Sequence, residues 1–191
     1  MSSFRGSLHL IEREETGFRK IYPSSNDPEF VAAIVSKIGT VKDIKMCGIA
    51  LNFLWDPDIV IRLKEAAESR KTRVTILVAD VDSPQIKERL NEEEDYPYPS
   101  QHGREVIMNL YKRLKEIERT IGNKEFFNVR VFAHYPTFAL IIAGDDVFCY
   151  HYGYKTVGTV SPVLHLRGFS SHQVRYYRTQ FDKILENYPL Q

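Results

Sequence analysis

The feature that most constrains the fold is a run of closely spaced strand patterns between Asn128 and Arg167. Phe138 to Ala143 is an unbroken apolar block, which is too short for a membrane span and typical of a strand buried on both faces. The turn residues Gly144-Asp145-Asp146 follow it, and Val147 to Tyr152 has the pattern of another strand. Ser161 to Leu166 is predicted as a further short strand. The chain is therefore expected to be organised around this part of a β-sheet.

The amino-terminal half predicts two more core strands, Ile44–Leu51 and Thr72–Ala79, with a helix between them. A strand, a helix and a strand in this order imply a right-handed parallel crossover. Gly48, inside the first of these strands, indicates a bulge or a close backbone approach. A long helix is predicted around Ile107–Ile121 and a final helix from about Ser171 to Asn187.

These elements predict an α/β fold, with a mixed β-sheet and helices on both faces. One domain is expected at residues 18–187, preceded at residues 1–17 by an N-terminal arm or short strand. A chain of 191 residues with 43% hydrophobic content can bury one substantial core.

Composition narrows the classes of function. The formal net charge is +1, from 26 Lys and Arg against 25 Asp and Glu, which argues against a general attraction to nucleic acid or membranes but leaves a local basic patch open. Two cysteines, Cys47 and Cys149, make neither a disulfide framework nor a metal quartet. Neither a signal peptide nor a membrane-spanning length is visible, so a cytoplasmic protein is expected. No cofactor is predicted.

Histidines gather in and beside the strand-rich region, which holds four of the six: His134, His151, His165 and His172. His165 and Arg167 are two residues apart on one strand and share a face, where a phosphate could bind to the forked guanidinium and the imidazole. The alternative is a histidine that is hydrogen-bonded at the end of the sheet, beside a solvent-facing arginine. The histidine spacings match no common zinc pattern, so no metal site is predicted.

Ligands of open α/β sheets bind beyond the carboxyl ends of the strands. That rule selects Asn52 after the first core strand, Asp82 after the second and His134 after the third. Asp82 can equally belong to the start of a helix that Ser83 caps.

The Asp145-Asp146 pair suggests metal or acid–base chemistry, but neighbouring strand residues face opposite sides, so one carboxylate at most can enter a site. The alternative for this pair is an acidic turn before a strand.

This order of elements and residues resembles the phospholipase D-like superfamily. Its members carry a His-x-Lys pair, an aspartate five residues beyond the lysine, and a glycine seven residues later that is usually followed by serine. Anchoring the pattern on Asp146 and Gly153 places the nucleophilic histidine on Ala139 and the phosphate-binding lysine on Ile141, while Tyr154 replaces the serine.

Anchoring the same pattern on Asp145 instead places the catalytic pair on Phe138 and Leu140. Both residues that carry the phosphodiester chemistry of the superfamily are therefore missing in either register.

A closer resemblance is to a poorly characterised, catalytically degenerate branch of that superfamily, often attached to helix-turn-helix regulators in bacteria. The matching segments are Ile21–Ser24, Gly48–Leu51, Asp82–Pro84 with Arg89 and Glu92-Glu93, Asp145-Asp146, Tyr152-Gly153, Ser161–Arg167, and the final helix with Tyr177 and Phe181. The likeness spans roughly residues 18 to 187. The chain leaves no room for a helix-turn-helix domain, so direct DNA binding is not part of what the resemblance implies.

The resemblance implies a non-catalytic domain that recognises a phosphate-bearing small molecule or a partner protein, in keeping with a regulatory role. The expected ligand-binding residues are His165, Arg167, His151, His134, Arg89, Asp82, Asp146 and Tyr154. The rival hypothesis is a phosphodiesterase or nuclease that uses non-standard histidines in the same cleft. A homodimer is also expected, because single-motif phospholipase D-like domains commonly pair across the cleft.

Overall fold

The structure is a computed structural model that describes residues 17–93 and 100–188. Its strands are β1 (Phe18–Tyr22), β2 (Asp43–Gly48), β3 (Arg73–Ala79), β4 (Phe127–Phe132), β5 (Phe138–Ala143), β6 (Asp146–His151) and β7 (Val163–Arg167). Its α-helices are α1 (Pro28–Lys37), α2 (Pro57–Arg70), α3 (Pro84–Glu92), α4 (Ser100–Ile121) and α5 (His172–Asn187). Two short 3₁₀ turns cover Asn52–Trp55 and Gly158–Val160. Residues 1–16 of the expected N-terminal arm lie outside the described residues.

The seven described strands form one mixed sheet in the order β1-β7-β6-β5-β2-β3-β4. β2, β3 and β4 run parallel to one another. β5 pairs antiparallel with β2, β6 with β5, β7 with β6, and β1 with β7. Two reversals bring β6 back to the direction of β2, so the carboxyl ends of β2, β3, β4 and β6 share one edge of the sheet. The carboxyl end of β7 lies at the opposite edge.

Helices cover both faces of the sheet, as predicted. On one face, α5 buries Val174 and Phe181, and its Asp182 Oδ1 lies 2.7 Å from Lys45 Nζ of β2. On the other face, Phe30 of α1 packs against Phe148 of β6, with ring centroids 5.7 Å apart. The carboxylate of Glu118 on α4 accepts a hydrogen bond from the backbone N–H of Val129 at 2.8 Å, which joins α4 to β4 on that second face.

Four helices begin at a side chain that caps free backbone N–H groups. Asp27, Asp56, Ser83 and Ser171 accept such hydrogen bonds at the starts of α1, α2, α3 and α5. Each cap of this kind stabilises a helix by about 1 kcal/mol. Three of these helices also carry proline at the start, where the missing N–H costs nothing. Local chemistry thus sets these helix starts, and the predicted α/β class is confirmed.

The first core strand is shorter than its apolar pattern predicts. β2 ends at Gly48; three residues later Leu51 adopts the left-handed conformation with φ 44° and ψ 56°, and the chain turns at Asn52–Trp55. A non-glycine residue in that region costs free energy, and such strain is typical of functional sites.

Among the described helices, none combines the length and apolar character needed to cross a membrane.

Candidate functional site

A cleft of about 540 Å³ opens at the edge where β2 and β6 end. Its floor is formed by the residues after β2 and by the end of β6, and its walls by α3, α4 and the segment before β7. The apolar lining side chains are Ile49, Ala50, Leu51, Trp55, Leu90, Val106, Ile107, Tyr150, Tyr152 and Val157. The polar lining side chains are Ser25, Asn26, Asn52, Glu93 and Thr159.

Two glycines allow the backbone to approach the Tyr152 ring closely. A Cβ atom on Gly48 would lie 2.8 Å from Cδ2 of Leu51 and 3.2 Å from the Tyr152 hydroxyl. A Cβ atom on Gly158 would lie 2.7 Å from Cε1 of Tyr152. The Tyr152 hydroxyl also accepts a hydrogen bond from the Ile49 backbone N–H at 2.8 Å. The close approach predicted at Gly48 is therefore confirmed, and it builds the floor of the cleft.

Arg89 lies behind the wall of the cleft and is only 2% exposed. Its guanidinium carbon is 5.5 Å from the centroid of the Tyr152 ring, and Nη2 donates to the carbonyl oxygen of Thr156 at 2.7 Å. Nη1 donates to Glu92 Oε2 at 3.1 Å, and Nη2 lies 2.9 Å from Glu93 Oε1. These contacts fasten the loop of residues 153–160 to α3. They also neutralise the Arg89 charge within the protein.

Glu93 is the charged side chain among the described residues that line the cleft. Its side chain is 15% exposed, and burial raises its pKa even though the neighbouring Arg89 charge acts to lower it. Its Oε1 atom forms a salt bridge with Nη2 of Arg89 at 2.9 Å. The Glu93 carboxylate is therefore a largely buried partner of Arg89 at the wall of the cleft.

The predicted pair His165 and Arg167 lies at the opposite edge of the sheet, in a cluster around Asp146. His165 Nε2 is 2.7 Å from Asp146 Oδ1, Lys37 Nζ is 2.7 Å from Oδ2, and Arg167 Nε is 3.9 Å from Oδ1. The His165 ring stacks on Phe148, with centroids 4.3 Å apart.

Asp146 is 2% exposed, whereas the Arg167 side chain is 51% exposed. Burial would raise the pKa of Asp146, but hydrogen bonds from His165 and Lys37 outweigh it and hold the pKa below its ordinary value. The arrangement matches the second interpretation of the sequence, a histidine bonded at the end of the sheet beside an exposed arginine.

The structure does not bring the eight expected ligand-binding residues together. Asp146 and the cleft residue Tyr150 are four residues apart on β6, a separation of roughly 13 Å. His165 and Arg167 therefore do not converge with Arg89 on one pocket.

The other four expected residues do not line the cleft either. His151 Nε2 is 3.2 Å from the Tyr177 hydroxyl, on the α5 side of the sheet. The His134 ring lies tilted against the Phe132 ring, with centroids 4.8 Å apart, and burial lowers the pKa of His134. Asp82 pairs with Arg104 at 2.5 Å on the surface, and Tyr154 is 79% exposed.

Ala139 and Ile141, which the resemblance places at the catalytic positions, are both fully buried in β5. A Cβ atom on Gly48 would lie 3.1 Å from the Ala139 Cβ, so Ala139 sits just beneath the floor of the cleft. Neither side chain can act as a nucleophile or hold a phosphate. The described residues also contain no group of three or more His, Cys, Asp or Glu side chains that could hold a metal ion.

Several lining residues were missed by the sequence analysis, although one signal was available. The rule that ligands bind beyond the carboxyl ends of strands selected Asn52, which does line the cleft. Applied to β6, the same rule selects Tyr152. Trp55 and Glu93 carry no such signal, because their position depends on how α3, α4 and the 3₁₀ turn pack together.

No protein-family model matches this chain, and no curated protein does either. Among solved structures, the chain is similar to that of TrmBL2, an archaeal chromatin protein described as showing a novel mode of DNA binding. The TM-score is 0.51 at 13% sequence identity, and the match covers 97% of this chain and 60% of that chain. The chain thus corresponds to about three fifths of TrmBL2, and at this identity the likeness is one of fold alone.

Proposed function

We propose that this chain is a non-catalytic recognition domain that binds a small molecule in the cleft at the carboxyl ends of β2 and β6. The observation that supports this proposal is the cleft itself. Its volume of about 540 Å³ is typical of small-molecule sites, which are mostly apolar and carry a few polar groups that orient the ligand. The ligand that fits this lining has an apolar body with a small number of hydrogen-bonding groups.

The phosphate expected from the sequence is not carried into this proposal. Among the described residues, the lining contains no lysine, arginine or histidine. Arg89, which lies behind the wall, is already bound to Glu92, to Glu93 and to the Thr156 carbonyl. A phosphate would enter the cleft without a partner for its charge, which is unfavourable in a desolvated site.

DNA binding, which is described for TrmBL2, is also not proposed for this chain. A net charge of +1 gives no general attraction to a polyanion. The partner-protein hypothesis stays as the alternative to a small-molecule ligand.

Trp55 offers a direct test, because it is the single tryptophan of the sequence and it lines the cleft. We expect titration with a library of apolar fragments to change Trp55 fluorescence saturably for some members. A Gly103→Leu variant, which extends a side chain from a lining position of α4, should abolish these changes while the fold is retained. Saturable binding that survives in Gly103→Leu would place the ligand elsewhere and contradict the proposed site.

The non-catalytic part of the proposal has its own test. We expect no hydrolysis of bis(p-nitrophenyl) phosphate above the buffer rate, because Ala139 and Ile141 supply neither a nucleophile nor a cation. Turnover that disappears in His165→Ala or His151→Ala would revive the hypothesis of an enzyme with non-standard histidines.

A further inference from the structure

We propose that the Lys115–Glu118 ion pair of α4 fills the place of a neighbouring strand beside β4, and that it thereby keeps this edge of the sheet from pairing with the same edge of a second copy of the chain. The inference goes beyond the proposed function and does not depend on it, because neither residue lines the cleft. It assigns to the pair a role in self-association, in addition to joining α4 to the sheet.

β4 is an edge strand of the described sheet, where β3 is its only neighbour. The Val74 N–H of β3 donates to the Phe126 carbonyl at 2.9 Å, and the Asp80 N–H after β3 donates to the Phe132 carbonyl at 2.8 Å. Because bonding to a parallel neighbour uses alternate residues, the even-numbered positions of β4 face β3. The odd-numbered positions present their backbone groups outward, as the edge of a sheet does: Phe127, Val129 and Val131.

Side chains of α4 satisfy the outward backbone groups of Val129. The Val129 N–H donates to Glu118 Oε1 at 2.8 Å, and the Val129 carbonyl accepts a hydrogen bond from Lys115 Nζ at 3.4 Å. Oε2 of the same carboxylate pairs with the Lys115 ammonium. One acceptor and one donor, bound to each other, thus take the positions that a residue of an antiparallel neighbour would fill with its C=O and N–H.

The burial of this pair sets it apart from the other ion pair of α4 with the same spacing. The side chain of Glu118 is 4% exposed and that of Lys115 is 25% exposed, whereas Glu116 and Arg119 are 70% and 74% exposed. A buried ion pair often adds no stability over apolar residues of similar volume, so attachment of α4 does not by itself account for charges here. The backbone of Val129 does account for them, because it requires both a donor and an acceptor.

The strand that the pair excludes is best supplied by a second copy of the chain. β4 contains neither proline nor glycine, and its valines and phenylalanines favour strand pairing. A cavity of about 330 Å³, lined in part by Lys115, Val129 and Val131, leaves room beside the edge for another chain. Two copies related by a two-fold axis would present the same edge to each other, which makes the pairing self-complementary.

Amide hydrogen exchange of the wild-type chain tests the contact without any variant. We expect the Val129 N–H, which faces away from β3, to exchange within about tenfold of the Arg130 N–H, which faces β3. A Val129 amide that exchanges more than about tenfold faster than the Arg130 amide would refute the proposal, because it would show an edge that is open to solvent.

Glu118→Ala removes the acceptor and should raise the ratio of the Val129 to the Arg130 exchange rate by about tenfold or more, since a hydrogen bond to a charged group is lost. Glu118→Gln keeps an oxygen at this position and should raise the ratio by less than about threefold. Glu116→Ala is the matched control, because it removes the same charge from the exposed pair of the same helix, and it should leave the ratio unchanged. An equal rise in Glu118→Ala and Glu116→Ala would contradict the proposal.

Light scattering from micromolar to hundreds of micromolar chain tests the second copy as the excluded partner. The mass of Glu118→Ala should rise with concentration above the masses of the wild type and of Glu116→Ala. Adding Val131→Pro should reverse the rise, because proline removes an outward N–H that β3 does not use. If Glu118→Ala does not fold, Lys115→Met takes its place, since it withdraws the donor from the Val129 carbonyl.

Two results of that measurement would overturn the proposal. A mass equal to that of the wild type at every concentration, in a variant whose Val129 amide has become exposed, would show that the pair does not keep copies apart. Association that persists in Glu118→Ala with Val131→Pro would place the contact on another surface. Neither result affects binding in the cleft, so this inference and the proposed function can fail separately.

Discussion

Asp146 joins three elements of the fold through one buried carboxylate. It begins β6, accepts a hydrogen bond from the Lys37 ammonium at the end of α1, and faces His165 of β7. The pairing of β6 with β7 sets Asp146 directly opposite Arg167, and Phe148 opposite His165. The carboxylate thus fixes α1 against the sheet at the edge away from the cleft.

The sequence predicted part of this cluster. Strand periodicity correctly placed His165 and Arg167 on one face, since alternation depends only on local geometry. The partner Asp146 could not be predicted in the same way, because its place opposite them depends on the register between β6 and β7. The approach of Lys37 depends on how α1 packs, which the pattern of one helix does not encode.

We expect Asp146→Asn to destabilise the protein by about 3 kcal/mol at pH 7, because it leaves the largely buried Lys37 ammonium without its counter-charge and weakens the hydrogen bond to the His165 ring. The folded-state pKa of Asp146 lies below its unfolded value, so this stabilisation is present above about pH 4 and is lost as the pH falls through the folded value. Urea unfolding should therefore show the difference from wild type shrinking below about pH 4.

The neighbouring Asp145→Asn variant is the control for that measurement. It should change the free energy of unfolding by less than about 0.5 kcal/mol. An Asp146→Asn variant with wild-type stability at pH 7, or a difference that grows on acidification, would contradict the role assigned to this carboxylate.

At the scale of elements, Arg89 connects α3 to the loop of residues 153–160, which forms one wall of the cleft. The helix itself was predictable, since Ser83 caps it and Pro84 begins it. The loop was not, because it has no apolar periodicity and its position depends on a contact between Arg89 and Thr156, which are 67 residues apart in the chain. For this reason the sequence predicted helix α3, which borders the cleft, but not the position of the loop of residues 153–160, which forms one of its walls.

We expect Arg89→Ala to destabilise the fold by about 3–5 kcal/mol, because it leaves Glu93 buried without its counter-charge and releases the loop at Thr156. Arg104→Ala, which removes an exposed ion pair with Asp82, should cost less than about 1 kcal/mol. Thermal and urea unfolding of both variants measure this contrast. Equal losses in the two variants would mean that Arg89 does not support the wall.

At the scale of the whole molecule, the homodimer expected from the resemblance stays a prediction. Light scattering at micromolar concentration should give a mass of about twice the 22.2 kDa of the chain. Symmetric pairs of this kind bury the same surface on both subunits, so the mass should not depend on a ligand in the cleft unless the cleft lies at the interface. A mass near 22.2 kDa over a range of concentrations would rule the dimer out.

The cleft and the Asp146 cluster lie at opposite edges of one sheet, and a single hydrophobic core connects them. That core runs without interruption from Tyr22 of β1, through β5, to Phe181 of α5. A shared core and a continuous sheet favour one cooperative transition over separate unfolding of the two ends. The predicted single domain at residues 18–187 depends on this continuity.

We therefore expect Trp55 fluorescence, which reports on the cleft, and far-ultraviolet circular dichroism, which reports on the helices, to give the same urea midpoint. In Arg89→Ala both midpoints should move to lower urea together, because the lost contact weakens a wall that belongs to the common core. A fluorescence transition that precedes the loss of ellipticity would show that the cleft opens as a unit of its own. In that case the wall formed by α3 and residues 153–160 would be the less stable part of the molecule, and the effect of Arg89→Ala would be confined to the fluorescence midpoint.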